Sequence, residues 1–152
     1  MEDAEQLIEL GHSYFRRASI KRDEAFSYKE RRNYPESISA SQECMELSLK
    51  AIFYYFHIIP EREHEFSDKE FAVLIKKMPE DLAFLKFPKL LIISQFWGRF
   101  YTTAKYGKEM LGIGPEKIFE KEEADLALSH AEQCLTSAVH VQSLIYLGRR
   151  FN

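Results

Sequence analysis

Apolar residues recur along most of this chain at intervals of three and four, and period-two alternation is nearly absent. From Ala4 to about Tyr28 the rhythm runs through Leu7, Ile8, Leu10, Tyr14, Phe15, Ala18, Ala25 and Phe26, the stripe of an amphipathic helix. Arg31-Arg32-Asn33-Tyr34-Pro35 breaks it. Asn33 suits a turn, and Pro35 fits a helix's first turn, where its missing N–H costs nothing. The spacing then predicts a second helix from Tyr34 to about Ile58, with Ile38, Met45, Leu49, Ile52, Phe53 and Phe56 facing inward. Residues 59–66 are mostly polar and read as a loop. Ser67-Asp68-Lys69-Glu70 has the spacing of a capping box, in which a serine and a glutamate satisfy each other's free N–H groups. It opens a short third helix through Phe71, Leu74 and Ile75 that stops before Pro79.

A fourth helix is predicted from Glu80 to about Tyr106, kinked or divided at Pro88 and closed by Gly107. Gly112-Ile113-Gly114-Pro115 marks a non-helical connection. The last helix runs from about Lys121 to Leu147, with Ala124, Ala127, Leu128, Ala131, Leu135, Ala138 and Ile145 inward. Small residues along that stripe let a neighbouring helix approach closely. The pattern predicts an all-α fold, an antiparallel up-and-down bundle of four or five helices in one domain over residues 1–152.

Composition narrows the functional classes. Apolar residues make up 45% of the chain and charged residues 30%, which excludes a disordered or low-complexity polymer. A net charge of −3 argues against a polyanion bound across the whole surface, and there is no DNA signal. One local exception is the run Arg16, Arg17, Lys21, Arg22, Lys29, Arg31 and Arg32. The interleaved Asp23, Glu24 and Glu30 favour a salt-bridged solvated face over an anion site. Cys44 and Cys134 lack any paired or zinc spacing and read as small buried hydrophobes. His130 and Cys134, one turn apart, are two ligands without a third, so no metal or cofactor is expected. No apolar run reaches the ~18 residues of a membrane span, and no basic segment precedes an apolar leader; a cytoplasmic protein is expected.

Gln42, Glu46 and Lys50 are spaced four apart and stack on one stripe of the second helix, flanked by Met45, Leu49, Ile52 and Phe53. On spacing alone, such a Glu–Lys pair is a surface contact worth about 0.3–0.5 kcal/mol. Further on, Gln95-Phe96-Trp97-Gly98-Arg99-Phe100-Tyr101 interleaves aromatics with a cation. Trp97 or Tyr101 would stack a base with Arg99 on a phosphate, or these rings build a core or a subunit contact.

The stretch from Tyr34 to Ala51, with its small residues followed by Gln42, Glu46 and Lys50-Ala51, resembles the signature helix of HEPN domains (higher eukaryotes and prokaryotes nucleotide-binding). His64, ahead of a short helix, is similar to the family's loop histidine, and Lys105-Tyr106-Gly107 to its Arg-Tyr-Gly/Pro turn. An acidic start to an Ala-rich last helix follows, so the resemblance runs from about residue 4 to residue 145. It implies a helical bundle, commonly a homodimer, that binds a nucleotide or RNA or pairs with a minimal nucleotidyltransferase as toxin and antitoxin. Many members are metal-independent ribonucleases built on Arg-x(4–6)-His, where the histidine moves the ribose 2′-OH proton and the arginine stabilises the phosphorane.

This chain departs from that motif: none of its five histidines follows an arginine at the required distance. Lys105 stands where relatives carry arginine, which keeps the charge and loses the bidentate fork. The expected groove lies between the second and fourth helices. Gln42, Glu46 and Lys50 would organise it, His64 would border it, and Arg99, Tyr101, Lys105 and Tyr106 would meet the ligand. A binding module is the leading expectation. A ribonuclease using His64 and Arg99, or a purely structural dimerisation module, are the alternatives.

Overall fold

The computed structural model describes residues 3–61 and 66–152. Among these residues six α-helices form: α1 (Ala4–Glu30), α2 (Tyr34–Tyr55), α3 (Asp68–Lys77), α4 (Phe87–Gly98), α5 (Tyr101–Tyr106) and α6 (Lys121–Tyr146), with short 3₁₀ turns between some of them. Local chemistry sets several boundaries. Asp3 and Gln6 cap α1 reciprocally at 2.9 and 3.2 Å. Pro35 occupies the first turn of α2. Ser67 and Glu70 form the expected capping box, the Glu70 N–H donating to Ser67 Oγ at 3.1 Å.

Two expected boundaries are corrected. α2 ends at Tyr55, not near Ile58, because His57 adopts a left-handed conformation with φ 60°. The Ile58 N–H then turns back to the Phe53 carbonyl at 2.9 Å, and Lys77 Nζ donates to the Phe56 carbonyl at 3.1 Å. The predicted fourth helix is three pieces. Glu80–Leu85 is 3₁₀, and the break falls at the left-handed Lys86 (φ 53°), while Pro88 sits inside the first turn of α4 and helps start it. A second break at Arg99 and Phe100 separates α4 from α5.

Cross-contacts fix the directions of the long helices. Ser37 Oγ donates to the Ala25 carbonyl at 2.8 Å near the α1–α2 turn, while Tyr55 lies against Gly11 at the far end, so these two are antiparallel. Cys44 meets Ala131 and Tyr55 meets Gln142 with the same offset of 87 residues, so α2 and α6 are parallel. Gln42 meets Trp97 and Phe56 meets Phe87, so α4 opposes α2. The order is up, down, up, down for α1, α2, α4 and α6, the expected bundle. α2 packs against α1, α6, α4 and α5, and is its central helix.

That position explains why 15 of its 22 residues are buried, on more faces than one apolar stripe would need. Small residues make it possible. Ser37, Ala40, Ser41, Cys44, Ser48 and Ala51 lie on α2, and Ala124, Ala127, Ala131, Cys134 and Ala138 on α6, all buried. The Cys44 sulfur comes within 3.9 Å of the Ala131 backbone oxygen. Burial pushes both thiols' pKa values up, so they remain protonated packing groups. The other end of the core is aromatic: Phe53 stacks on Phe66 at 5.2 Å, and Phe151 folds back onto Phe56 at 4.5 Å.

Three cations of the basic run, Lys21, Arg22 and Lys29, are held in ion pairs. Lys21 bonds Glu24 and Glu43, both at 3.1 Å, Arg22 reaches Glu132 at 3.5 Å, and Lys29 reaches Asp125 at 3.3 Å. Among the described residues no helix is long and apolar enough to cross a membrane.

Candidate functional site

The break between α4 and α5 opens a cleft of about 440 Å³ against the side of α2. Gln42, Met45 and Glu46 line it from α2, and Gln95, Trp97 and Gly98 from α4. Arg99 and Tyr101 reach it from the break itself, and Phe66 from the segment before α3. Gln42, Glu46, Arg99 and Tyr101, singled out by sequence, therefore come together.

Gln42 is buried, and its Nε2 donates to the Trp97 carbonyl. The Phe100 N–H also bonds that carbonyl at 2.9 Å, closing a 3₁₀ turn where α4 stops. The donation fixes the amide's orientation. Oε1 is left buried without a hydrogen-bond partner among the described residues, an arrangement that costs about 1–3 kcal/mol unless a donor reaches it. Glu46 and Lys50 pair at 3.3 Å with side chains only 16% and 12% exposed, so the pair is better sheltered than a surface contact. The Lys50 ammonium lies 5.5 Å from the Tyr14 ring centroid, toward α1 and away from the cleft lining.

Trp97 is 3% exposed, which removes its ring as a stacking platform and leaves it the core role that was the other alternative. Its indole N–H instead donates to His130 Nδ1 at 2.8 Å. Burial, and then the charge of Lys89, push His130's pKa down, and the neutral imidazole is the form that accepts this bond. His130 is thus a structural acceptor. Among the described residues, no group of three or more His, Cys, Asp or Glu side chains is arranged to hold a metal.

Lys105 does not line this cleft. Its ammonium donates to the Tyr101 hydroxyl at 2.8 Å and sits 4.3 Å from that ring's centroid; the hydrogen bond to Tyr101 is the main cause of its raised pKa. It faces a separate hollow with Lys21 and Glu43, so it touches the cleft only through Tyr101. Tyr106 is 58% exposed and points elsewhere. Gly107 is required by the turn: φ is 71°, and a Cβ there would lie 2.2 Å from the Ile113 carbonyl oxygen.

His64 lies outside the described residues. The ends of its segment are fixed by Glu70, whose carboxylate accepts from the Glu61 N–H at 3.0 Å and the Ser67 N–H at 3.1 Å. Sequence reasoning found the cap and missed this second duty, for which spacing carries no signal. It also missed the bond from Gln95 Nε2 to Asp68 Oδ1 at 2.9 Å, which ties α4 to the start of α3 beside the cleft.

A family model for the HEPN domain matches residues 12–141. The fold is similar to the crystal structure of TT1696 from Thermus thermophilus, with a TM-score of 0.65 and 16% identity over 86% of this chain and 97% of that one. Identity that low speaks for the fold alone. No curated protein matches the chain.

Proposed function

The chain belongs to the HEPN domain family, and on that premise we propose that it is a binding module whose α2–α4–α5 cleft takes a nucleotide or an RNA end. The observation that carries the reading is the convergence of Gln42, Glu46 and Arg99 on one concave site of about 440 Å³, within the range of small-ligand pockets. Glu46 and the unpartnered Gln42 oxygen are acceptors suited to the N–H edge of a base. Arg99 is exposed at the rim, where its fork suits a phosphate. Tyr101, steadied by Lys105, offers a ring beside it. The module works as a homodimer, the common state of this family, beside a minimal nucleotidyltransferase as one half of a toxin–antitoxin pair. A ribonuclease role would use His64, which lies outside the described residues, or a site shared across the dimer.

The test uses the intact protein, with the fluorescence of Trp97, its one tryptophan, as reporter. Nucleoside mono- and triphosphates and a short RNA are titrated into wild type, Glu46→Gln and Arg99→Ala. Each substitution removes a charge-assisted interaction, so affinity should fall about tenfold or more. Unchanged affinity in both variants would show that the ligand sits elsewhere.

A further inference from the structure

A second groove, of about 790 Å³, runs between the start of α4 and the outer face of α6 and shares no lining residue with the cleft. Four lysines from three helices border it: Lys29 in the last turn of α1, Lys86 and Lys89 at the start of α4, and Lys121 in the first turn of α6. Among the described residues two carboxylates line it, and both already have cations. Asp125 is held by Lys29 at 3.3 Å and Lys121 at 3.0 Å, and Glu132 by Arg22 at 3.5 Å. Lys86 and Lys89 are exposed and form no ion pair with any described residue. In a chain of net charge −3, this is a local surplus of positive charge held open to solvent.

The backbone beneath it is unusual. Lys86 adopts a left-handed conformation (φ 53°, ψ 54°), which costs a residue with a Cβ far more than glycine, and no side chain caps the helix that follows. Lys89 stands three residues further on, in the first turn of α4. At the same rim, Phe84 is 60% exposed, its ring meeting His140 edge-on at 5.4 Å. A large aromatic residue left that open, next to unpaired cations, supplies both halves of a single-strand site: charge for the phosphates and a ring for a base.

We infer that this groove binds a single-stranded nucleic acid, with Lys86 and Lys89 on successive phosphates and Phe84 under a base. The groove stands independently of the cleft and its ligand. Its openness suits a chain running through rather than a small molecule enclosed, and neither an acidic peptide nor bare polyphosphate would use Phe84 in this way.

The experiment is fluorescence anisotropy of labelled twelve-residue oligouridylate and oligothymidylate with the full chain, across a series of salt concentrations. Binding of either strand should weaken at least tenfold in the Lys86→Ala/Lys89→Ala double variant. The slope of log affinity against log salt should flatten by about 0.7 for each phosphate that the variant no longer neutralises. Phe84→Ala should weaken both oligonucleotides about fivefold or more, the scale of one base stack removed, and leave inorganic polyphosphate unaffected. All three side chains are exposed, so thermal melting should confirm an intact fold. Wild-type affinity and slope in the double variant would overturn the proposal. So would displacement of the oligonucleotide by poly-glutamate as readily as by unlabelled RNA, or an effect confined to Glu46→Gln and Arg99→Ala, which would return the strand to the cleft.

Discussion

The indole N–H of Trp97 donates to Nδ1 of His130 at 2.8 Å, while the backbone carbonyl of the same tryptophan accepts from the Gln42 amide. One residue of α4 is thereby tied to α2 through its main chain and to α6 through its side chain. The cleft is built on this crossing. Gln42 lines it, Trp97 closes its base, and the chain leaves the helix immediately afterwards to present Arg99 and Tyr101.

The crossing should be sensitive to acid. His130's pKa is pushed down by burial and by Lys89, so the folded protein resists the proton that the unfolded chain accepts below about pH 6.5. Stability is therefore full above that value and declines as pH falls toward the folded pKa. His57, shifted the same way by burial and Lys77, adds a second part. The melting temperature of wild type should drop between pH 7 and pH 5, and His130→Asn, which keeps an acceptor for the indole, should drop less. Equal slopes in the two proteins would mean that His130 does not titrate in this way.

Gln42 discriminates between a hydrogen bond and mere filling of space. Gln42→Leu removes the donor and the unpartnered oxygen together, and should cost about 1 kcal/mol. Gln42→Glu sets a second acceptor against the Trp97 carbonyl in a buried place and should cost more, about 1–3 kcal/mol. Urea titration followed by Trp97 emission gives both numbers. If the glutamate variant were the milder one, the amide would not be donating to that carbonyl.

Glu70 should matter more for its loop than for its helix. Glu70→Ala removes the acceptor for Glu61 and Ser67 at once, at about 1–3 kcal/mol, whereas Ser67→Ala removes only the cap, at about 1 kcal/mol. Urea titration should separate the two variants by that difference. Equal costs would reduce Glu70 to a helix cap.

What could be read in advance was what local pattern determines. The stripes of α1, α2 and α6 and the Ser67–Glu70 box depend on neighbours within a turn or two, and they were legible. The end of α4 depends on Gln42, 55 residues away, and the end of α2 on a left-handed histidine that no glycine announces. The site divided along the same line. Gln42 and Glu46 stood out as polar residues in an apolar pattern. Lys50 and Lys105 share the right segments, but Lys50 settles over Tyr14 of another helix, which spacing does not specify, and Lys105 over Tyr101, one turn back on its own helix. The groove of Lys86 and Lys89 was hidden for a related reason. Its lysines come from three separated segments, and only the fold gathers them.

Gly11, in the middle of α1, is the sharpest case of a residue explained only by a distant partner. A Cβ at this position would lie 2.6 Å from the ring of Tyr55, which is fully buried. That ring has nowhere to withdraw. Its hydroxyl is hydrogen-bonded to His12 Nδ1 at 2.7 Å and accepts from Gln142 Nε2 at 3.0 Å, with His12 stacked on Tyr146 at 4.9 Å. Alanine would improve helix propensity by about 1 kcal/mol, but forcing a methyl group into a packed core costs about 1–3 kcal/mol. Gly11→Ala should therefore destabilise the protein in urea titration, against the usual direction for a mid-helix glycine. In a Tyr55→Leu background the obstruction is gone, and the same substitution should become neutral or stabilising by up to about 1 kcal/mol. An identical effect in both backgrounds would show that the ring is not what holds this position at glycine.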